Sequence, residues 1–207
     1  GTSSTAEAVV AVPYTASGTT NQNEYLAESS ELGSAWGITY NRKTKTLFTS
    51  AFLKRHIGWG PGKLSSIYKI DASNIGGPTT GNTSIYIDLE TIPGMDAADE
   101  SILGVRDLSG NVTDPSYDPE AFDQVGKQSF GDLDMSSDAD SIFVVDLRNK
   151  RLVIIENDPN TDTPGGVTYK TIPNPGCSNS DDWRPWGLKY YQGKLYVGGV
   201  CSAQSTQ

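Results

Sequence analysis

The segment AWGITYNRKTKTLFTSAF, residues 35–52, decides the fold class. It begins with an aromatic residue and a glycine, runs on as a short alternating strand, turns through polar residues and returns as a second strand. The second strand opens with an aliphatic residue followed by an aromatic one. Alternating apolar residues on both sides of a polar turn predict a β-hairpin.

The same plan recurs in SFGDLDMSSDADSIFVVDL, residues 129–147, and in PWGLKYYQGKLYVGGVC, residues 185–201. Each copy opens with an aromatic residue and a glycine: Trp36-Gly37, Phe130-Gly131 and Trp186-Gly187. Glycine lets neighbouring backbones approach closely, and an aromatic ring can wedge between packed sheets. We therefore predict that the three dipeptides are equivalent entry points into successive sheets.

Further strand patterns follow the first two hairpins, at 65–71 and 83–92 and then at 151–157 and 166–173. Four antiparallel strands per unit predict an all-β fold of β-propeller-type blades in a single region, 1–207. The blades span 35–92, 129–173 and, incomplete, 185–203, and residues 6–14 fit an outer strand of a preceding blade. A closed propeller has about four to eight blades, so we predict a partial propeller or a fragment of a longer chain.

An acidic insertion, residues 93–128, separates the first two blades and is too long for an ordinary connection. We interpret it as a loop on one face of the sheets that either binds Ca²⁺ or is a solvated flap. Its acidic spacing does not match an EF-hand. Its carboxylates are Asp96, Asp99, Glu100, Asp107, Asp114, Asp118, Glu120 and Asp123.

The composition narrows the class of partner. A formal charge of −9 over 207 residues argues against nucleic-acid binding and against charge-driven docking to anionic lipid. No run of 18 apolar residues is present, so no membrane insertion is expected. An acidic chain rich in Ser, Thr and Asn fits an extracellular protein or a cation binder, and the simpler interpretation is that the charge only keeps the protein soluble. In a secretory route the sequons at Asn82 and Asn111 are candidate glycosylation sites.

The two cysteines, Cys177 and Cys201, are candidates for a disulfide. Strand 195–200 runs back along 187–191, so Cys201 returns to the level where that hairpin begins, close to the connection that carries Cys177. A bridge would close a loop of about 25 residues and stabilise the fold by about 3–4 kcal/mol. The alternative is two free buried thiols in a cytosolic protein.

The loop between the second and third strands of the first blade carries Lys54, Arg55, the only histidine, His56, and, within a glycine-rich run, Trp59. Lysine and arginine bind carboxylates or sugar acids, and a tryptophan ring can stack on a sugar. We consider these four residues a candidate ligand-binding group. The alternative is structural: Arg55 and His56 hold the loop against backbone carbonyls and the carboxylates of the insertion.

Asp132 and Asp134 project from one face of an innermost strand, because side chains alternate along a strand. Paired carboxylates at a propeller axis could hold a metal, as in lactonase-type hydrolases. Ca²⁺ requires about six to eight oxygen ligands, however, and the other inner strands add no acids. The alternative is that both carboxylates accept hydrogen bonds from a neighbouring strand or from Arg184.

As a set, the words GITYNRKTKTLFTSAFLKRHIGWGPG, GDLDMSSDADSIFVVDLRNKRL and RPWGLKYYQGKLYVGGVC resemble a propeller-like region of large bacterial secreted or cell-surface proteins. In those proteins the region often accompanies SdrD B-like repeat modules. The resemblance covers roughly residues 35–203, with gaps in the insertion. It implies an extracellular location and adhesion, and it supplies no catalytic mechanism.

Three functional hypotheses follow. The first is a non-enzymatic extracellular binding, adhesion or assembly module of a bacterial surface protein, with a glycan or a protein as its ligand. The second is a structural subunit that pairs with further copies, or with the remainder of its own chain, into a fibre or a closed ring. The third is a metal-dependent, lactonase-like propeller hydrolase; no catalytic residue is assigned, and Ca²⁺ is the one cofactor left open.

Overall fold

A computed structural model describes residues 5–18, 23–73, 75, 81–104, 106, 108–111, 113–114 and 117–206. Within that part of the chain the protein is all-β, as predicted, and its three α-helices are single turns that the sequence did not predict. The helices are α1 (Ser29–Leu32), α2 (Glu100–Leu103) and α3 (Pro119–Phe122). The strands are β1 (Glu7–Ala11), β2 (Glu24–Glu28), β3 (Ala35–Asn41), β4 (Thr46–Ala51), β5 (Ser66–Asp71), β6 (Thr83–Asp88), β7 (Phe130–Met135), β8 (Ser141–Asp146), β9 (Arg151–Asp158), β10 (Thr163–Thr171), β11 (Trp183–Tyr191) and β12 (Lys194–Cys201).

The strands form two four-stranded antiparallel sheets and two two-stranded sheets. Sheet 1 is β3-β4-β5-β6 and sheet 2 is β7-β8-β9-β10, while β1 pairs with β2 and β11 pairs with β12. Within each sheet, hydrogen-bonded strands are consecutive in the sequence. Short polar turns favour this antiparallel pairing of consecutive strands.

The core lies in three layers between these sheets. The β1–β2 sheet packs on sheet 1 through Val9, Leu26, Ala51, Tyr68 and Ile70. Sheet 1 packs on sheet 2 through Phe48, Ile67, Phe130, Val144 and Val153, among others. Sheet 2 packs on the β11–β12 sheet through Phe143, Val145, Leu152, Trp183 and Leu188, among others. The four sheets are therefore stacked in sequence order, with both faces of each four-stranded sheet covered by apolar contacts.

The innermost strands approach one another closely at glycine. A Cβ on Gly37 of β3 would lie 3.0 Å from Asp132 Cα of β7, and one on Gly131 would lie 2.7 Å from the Trp186 carbonyl oxygen of β11. Any larger residue would push these strands apart. The Trp36 and Trp186 rings meet edge to face with centroids 5.5 Å apart, and Phe52 lies within 5.6 Å of both.

The prediction of three equivalent entry dipeptides is right for two and wrong for Phe130-Gly131. Cross-strand pairs align the three hairpins at Thr39–Phe48, Asp134–Phe143 and Lys189–Tyr196. Gly37 and Gly187 both lie two residues before that pair, whereas Gly131 lies three residues before it. Phe130 consequently points into the layer between the two four-stranded sheets, where it is fully buried. All three first strands carry a β-bulge at the same aligned position, so the difference comes from the sequence position of the glycine: Gly131 aligns with Trp36 and Trp186.

The predicted disulfide is confirmed. Cys177 and Cys201 are bonded, with Cα atoms 5.5 Å apart and a sequence separation of 24. The bond ties the connection after β10 to the end of β12, so it fixes the last strand of the described fold. Among the described residues, no helix has the length and apolar character needed to cross a bilayer.

Candidate binding face

The long β4–β5 connection and the insertion pack on each other to form what we call the loop–insertion face, residues 53–64 with the described part of 94–128. Its interior is a small apolar cluster, with Trp59 packed at its margin. The members of the cluster are Leu53, Leu64, Ala98, Leu103 and Ala121. The described residues near the start and the end of the insertion thus pack on the loop, whereas those of its middle, 108–111, 113–114 and 117, are half-buried or exposed. The helices α2 and α3 supply the buried Leu103 and Ala121.

The glycine-rich run in this loop is required by a close backbone approach. A Cβ on Gly60 would lie 2.7 Å from Leu32 Cα at the end of α1. The Gly62 backbone NH donates to the Tyr68 hydroxyl at 3.0 Å. The run therefore docks the loop against the start of sheet 1 and holds Trp59 and its neighbours in place.

A buried ion pair joins the two halves of the face. Arg106 Nε donates to Asp118 Oδ1 at 2.9 Å, and its Nη2 donates to the other carboxylate oxygen and to the Lys54 carbonyl. The Asp118 side chain is fully buried and that of Arg106 is 5% exposed. Asp118 Oδ2 also accepts the backbone NH of His56 at 2.8 Å. One carboxylate therefore fixes both the end of the insertion and the loop that carries the predicted site.

The surroundings of Asp118 favour its ionised form. The hydrogen bond from Arg106 holds the pKa of Asp118 below its usual range, assisted by the backbone NH of His56 and opposed by burial. The left-handed backbone of His56, with φ at 65°, presents that NH to the carboxylate. Non-glycine residues adopt this conformation uncommonly, and here it is matched by a charge-assisted hydrogen bond.

The structure brings the four predicted ligand-binding residues into this one face. Lys54 is exposed, and its carbonyl is engaged by Arg106. The Arg55 guanidinium lies over the Phe122 ring at 4.9 Å, and the Arg106 guanidinium lies 6.0 Å from the Trp59 ring centroid. His56 contributes its backbone NH, which donates to the Asp118 carboxylate. Two buried nitrogen atoms, Arg55 Nε and Trp59 Nε1, find no hydrogen-bond partner among the described residues.

Four large apolar side chains of the insertion are exposed: Phe122, 68% exposed, with Ile102, Tyr117 and Val125. Phe122 ends α3 and Ile102 lies within α2, and the two helices contact each other. Sequence reasoning missed these residues, because the insertion looked polar and its apolar positions were too few to show a helical period.

The beginning of the insertion is held by the β8–β9 turn. Asp146 and Arg151 form a second buried ion pair, with Nε to Oδ2 at 2.7 Å, and Arg151 Nη1 donates to the Gly94 carbonyl at 2.8 Å. Asn149 Nδ2 donates to the Asp96 carbonyl at 2.9 Å, and Arg148 pairs with Asp96 and Asp99. Sheet 2 therefore holds the start of the insertion. The β4–β5 loop holds a later part of it, through the contacts of Lys54 and His56 with Arg106 and Asp118.

The inner-strand carboxylates bind a neighbouring strand. Asp132 Oδ2 accepts the Leu188 backbone NH at 3.2 Å, and Asp134 Oδ2 accepts the Tyr190 NH at 2.7 Å. Asp134 also pairs with Lys189 Nζ at 2.7 Å. Burial opposes ionisation of Asp134, but the hydrogen bonds from Lys189 and from backbone NH groups keep its pKa below the usual value. These contacts agree with the alternative in which both carboxylates accept hydrogen bonds from a neighbouring strand. That strand is β11, and Arg184 is not the donor.

The acidic residues of the insertion are dispersed rather than convergent. Asp99 accepts from Ser101, Glu100 pairs with Lys63, Asp114 accepts from Ser109, and Asp123 pairs with Lys127. Asp107 lies outside the described residues. Within the part of the chain that the structure covers, no three His, Cys, Asp or Glu side chains form a group that could hold a metal ion.

The two sequon asparagines lie in different settings. Asn111 is exposed, and its side chain bridges Thr113 and Asp114 in a turn of the insertion. Asn82 is half-buried where β6 begins, and its carbonyl accepts the Asp71 backbone NH at 2.9 Å.

Comparison with known proteins shows similarity to colossins of Dictyostelium discoideum. The chain is 30% identical to Colossin-D over 185 residues, which is 88% of this chain and 18% of that protein. It is 30% identical to Colossin-A over 185 residues, 87% of this chain and 2% of that protein, and 30% identical to Colossin-B over 198 residues, 94% and 5%. The chain thus spans less than a fifth of the length of these relatives. No family model and no solved structure matches it.

These relatives correct the resemblance drawn from the sequence words. The propeller-like region of bacterial secreted proteins was the wrong comparison, since the similar proteins come from a eukaryote.

Proposed function

We propose that this chain is an extracellular, non-enzymatic binding module and that the loop–insertion face is its recognition surface. The observation that carries the proposal is the group of exposed apolar side chains, Ile102, Tyr117 and Phe122, on a segment held rigid by a buried ion pair. Exposed apolar groups beside cationic ones, on a fixed scaffold, characterise interfaces between proteins. Lys54 and Arg55 supply the cationic groups.

The architecture that presents this face is, in our proposal, an arc of propeller-type blades. Its support is the stacking of successive antiparallel sheets in sequence order and the close approach of their first strands at Gly37 and Gly131. In such an arc the connection between the second and third strands of every sheet emerges on the same side. Residues 53–64 of the loop–insertion face are an enlargement of that connection in sheet 1, and the insertion belongs to the connection from β6 to β7.

A protein partner fits this surface better than a glycan. Sugar binding usually requires an aromatic ring with a free face, and the Arg106 guanidinium lies over Trp59. Phe122 is covered on one side by Arg55 and presents its remaining surface to solvent. An aromatic ring next to an arginine is a frequent energetic centre of protein interfaces.

The test is a screen of the immobilised chain against an array of extracellular proteins and, in parallel, a glycan array, each with and without Ca²⁺. Binding to a protein that the double variant Tyr117→Ser, Phe122→Ser abolishes is the expected result. Tyr14→Ser removes an equally exposed ring from the β1–β2 connection and serves as the matched control. Protein binding that survives the double variant contradicts the proposed face, and binding to glycans alone contradicts the proposed partner class.

The hydrolase alternative gains no support from the inner strands, where Asp132 and Asp134 are both engaged with the backbone of β11. Elemental analysis of the untreated, purified protein addresses that alternative directly. A stoichiometric transition metal or Ca²⁺, lost on substitution of Asp134, would revive it.

A further inference from the structure

The β1–β2 sheet reproduces the second half of a four-stranded sheet. From Val9 onwards it has the same register as β5–β6, including a bulge in which one strand advances by one residue while its partner advances by two. A second shift, between Glu7 and Val9, occurs in β1–β2 and not in β5–β6. The corresponding pairs are Val9–Ala27 and Ile67–Ile87 before the bulge, and Val10–Tyr25 and Tyr68–Ile85 after it. The extra residue is Leu26 in one hairpin and Tyr86 in the other, and both are 5% exposed.

The segments that follow β2 and β6 also correspond. Glu28 and Asp88 each cap a single helical turn, α1 in the first case and a 3₁₀ turn, Leu89–Thr91, in the second. The chain then proceeds to the first strand of the next sheet, directly to β3 or through the insertion to β7. Register, bulge and cap together identify β1 and β2 with strand positions three and four.

The β11–β12 sheet reproduces the first half of a four-stranded sheet. Its Lys189–Tyr196 pair aligns with Asp134–Phe143 in sheet 2 and with Thr39–Phe48 in sheet 1. It packs on sheet 2 beside the innermost strand β7, as sheet 2 itself packs beside β3. The two two-stranded sheets of this chain are therefore complementary halves of one unit.

The surfaces that a completed unit would cover are open at both ends. Tyr196 is 53% exposed, although Phe143 and Phe48 at the same position are buried. Val10 is 43% exposed where the equivalent Tyr68 is fully buried. A Cβ on Gly187 would meet nothing within 4 Å, whereas one on the equivalent Gly37 would meet the backbone of the next inner strand. Among the described residues, β12 pairs only with β11 and β1 only with β2.

We propose that β12 of one copy of this chain pairs with β1 of a second copy, giving a four-stranded sheet β11-β12-β1-β2 shared between them. We assign a second copy as the occupant because, among the described residues, the β1–β2 sheet supplies strand positions three and four and the β11–β12 sheet supplies positions one and two. The register is set by sheets 1 and 2, in which Phe48 faces Lys69 and Phe143 faces Ile154. By that correspondence Tyr196 faces Ala11, Val197 faces Val10 and Gly198 faces Val9.

The same arrangement accounts for the open space at Gly187. Once β1 and β2 of the second copy complete the sheet, its β3 follows directly and lies beside β11, as β7 lies beside β3 within one chain. Addition of a strand satisfies the exposed backbone of an edge, and the layers on both sides bury apolar side chains. The contact joins two different surfaces, so copies extend head to tail until a ring closes. This inference goes beyond the proposed binding function and does not depend on the loop–insertion face.

The test mixes two single-cysteine variants, Ala11→Cys and Tyr196→Cys, at an ionic strength of about 0.15 M, where the Debye length is about 8 Å and repulsion between acidic copies is screened. After mild oxidation, the mixture is expected to yield a disulfide-linked dimer that neither variant forms alone. Ser84→Cys, on the exposed strand β6, replaces Tyr196→Cys in the matched control and is expected to give none. Equal crosslinking of Ala11→Cys with Ser84→Cys would overturn the register, and no crosslinking in any mixture would overturn the pairing.

A second measurement keeps the inference independent of cysteine chemistry. Mass photometry over a concentration series is expected to show head-to-tail oligomers of the unsubstituted chain. Val10→Glu places a charge on a surface that the assembly buries, so it is expected to raise the apparent Kd at least about tenfold. Tyr14→Glu adds the same charge at a fully exposed residue of the β1–β2 connection and is expected to change the Kd little. A monomer at every concentration refutes the inference.

Discussion

The connections between the second and third strands of sheets 1 and 2 occupy the same topological position and differ greatly in length. In sheet 1 the chain takes residues 52–65 to pass from β4 to β5, whereas in sheet 2 it takes residues 147–150 to pass from β8 to β9. Each connection is nevertheless associated with a buried Asp–Arg pair, Asp118–Arg106 in the first and Asp146–Arg151 in the second. Both pairs hold the insertion, one near its end and the other at its beginning.

Burial raises the pKa of both carboxyl groups, but the net shifts have opposite signs. Hydrogen bonds from Arg106 and from the backbone lower the pKa of Asp118. Burial raises the pKa of Asp146, because desolvation outweighs the hydrogen bonds from Asn149 and Arg151. The comparison shows that a salt bridge is not a single kind of interaction, since its effect depends on how many donors compensate for the lost water.

The largest expected effect is that of removing the Asp118 carboxylate. Asp118→Ala leaves the 5%-exposed Arg106 without its counter-charge and releases the His56 NH, so we expect a loss of about 3–5 kcal/mol in the free energy of unfolding. Denaturant unfolding followed by tryptophan fluorescence measures it. Asp123→Ala removes the exposed partner of Lys127 and should cost less than about 1 kcal/mol. Equal losses in the two variants would refute the structural role of the pair.

A smaller loss is expected in sheet 2. Asp146→Asn keeps an acceptor for Arg151, whose guanidinium also donates to the Gly94 carbonyl and lies 4.7 Å from the Tyr169 ring centroid. We expect a cost of about 1–2 kcal/mol, because one charge-assisted hydrogen bond becomes a neutral one. The same unfolding measurement checks it. A loss as large as that of Asp118→Ala would remove the contrast between the two pairs.

The arginine of each pair can be tested by replacement with lysine. Arg106 contacts both oxygens of Asp118 and a carbonyl, a pattern that a single ammonium group cannot reproduce. Arg106→Lys is expected to cost about 1–3 kcal/mol and to weaken any ligand binding at the loop–insertion face. Arg151→Lys should affect stability while leaving that binding intact. The discriminating readout is therefore binding measured at a temperature where both variants are folded.

The smallest expected effect is on the pH dependence of stability. A lowered pKa in the folded state means that Asp118 contributes stability above about pH 3.9, the unfolded value, and that this contribution is lost as pH falls further. Asp146 acts in the opposite sense: its raised pKa lets the folded state bind a proton first, so lowering the pH towards 3.9 adds stability. Unfolding curves from pH 3 to 7 should therefore lose acid sensitivity in Asp118→Asn and gain it in Asp146→Asn.

The fold class was accessible from the sequence because alternation and polar turns are local signals. The hairpins at residues 35–52 and 185–201, and the disulfide between Cys177 and Cys201, follow from spacing along the chain. The register of Phe130-Gly131 was not accessible, because the one-residue offset of Gly131 from Gly37 and Gly187 is visible only once the cross-strand pairs are known. The insertion was misjudged for a similar reason, since four-residue helices have no detectable period.

The sequence by itself determined that this chain forms stacked antiparallel sheets, because strand and turn propensities act between neighbouring residues. The tertiary structure alone decided that Arg106 and Asp118 meet beneath the loop of Lys54 and Arg55, and that Phe122 remains exposed beside them. Those contacts join residues about fifty to sixty positions apart, such as Lys54 with Arg106 and His56 with Asp118. Such long-range pairing depends on the packing of complete sheets, which no local pattern encodes.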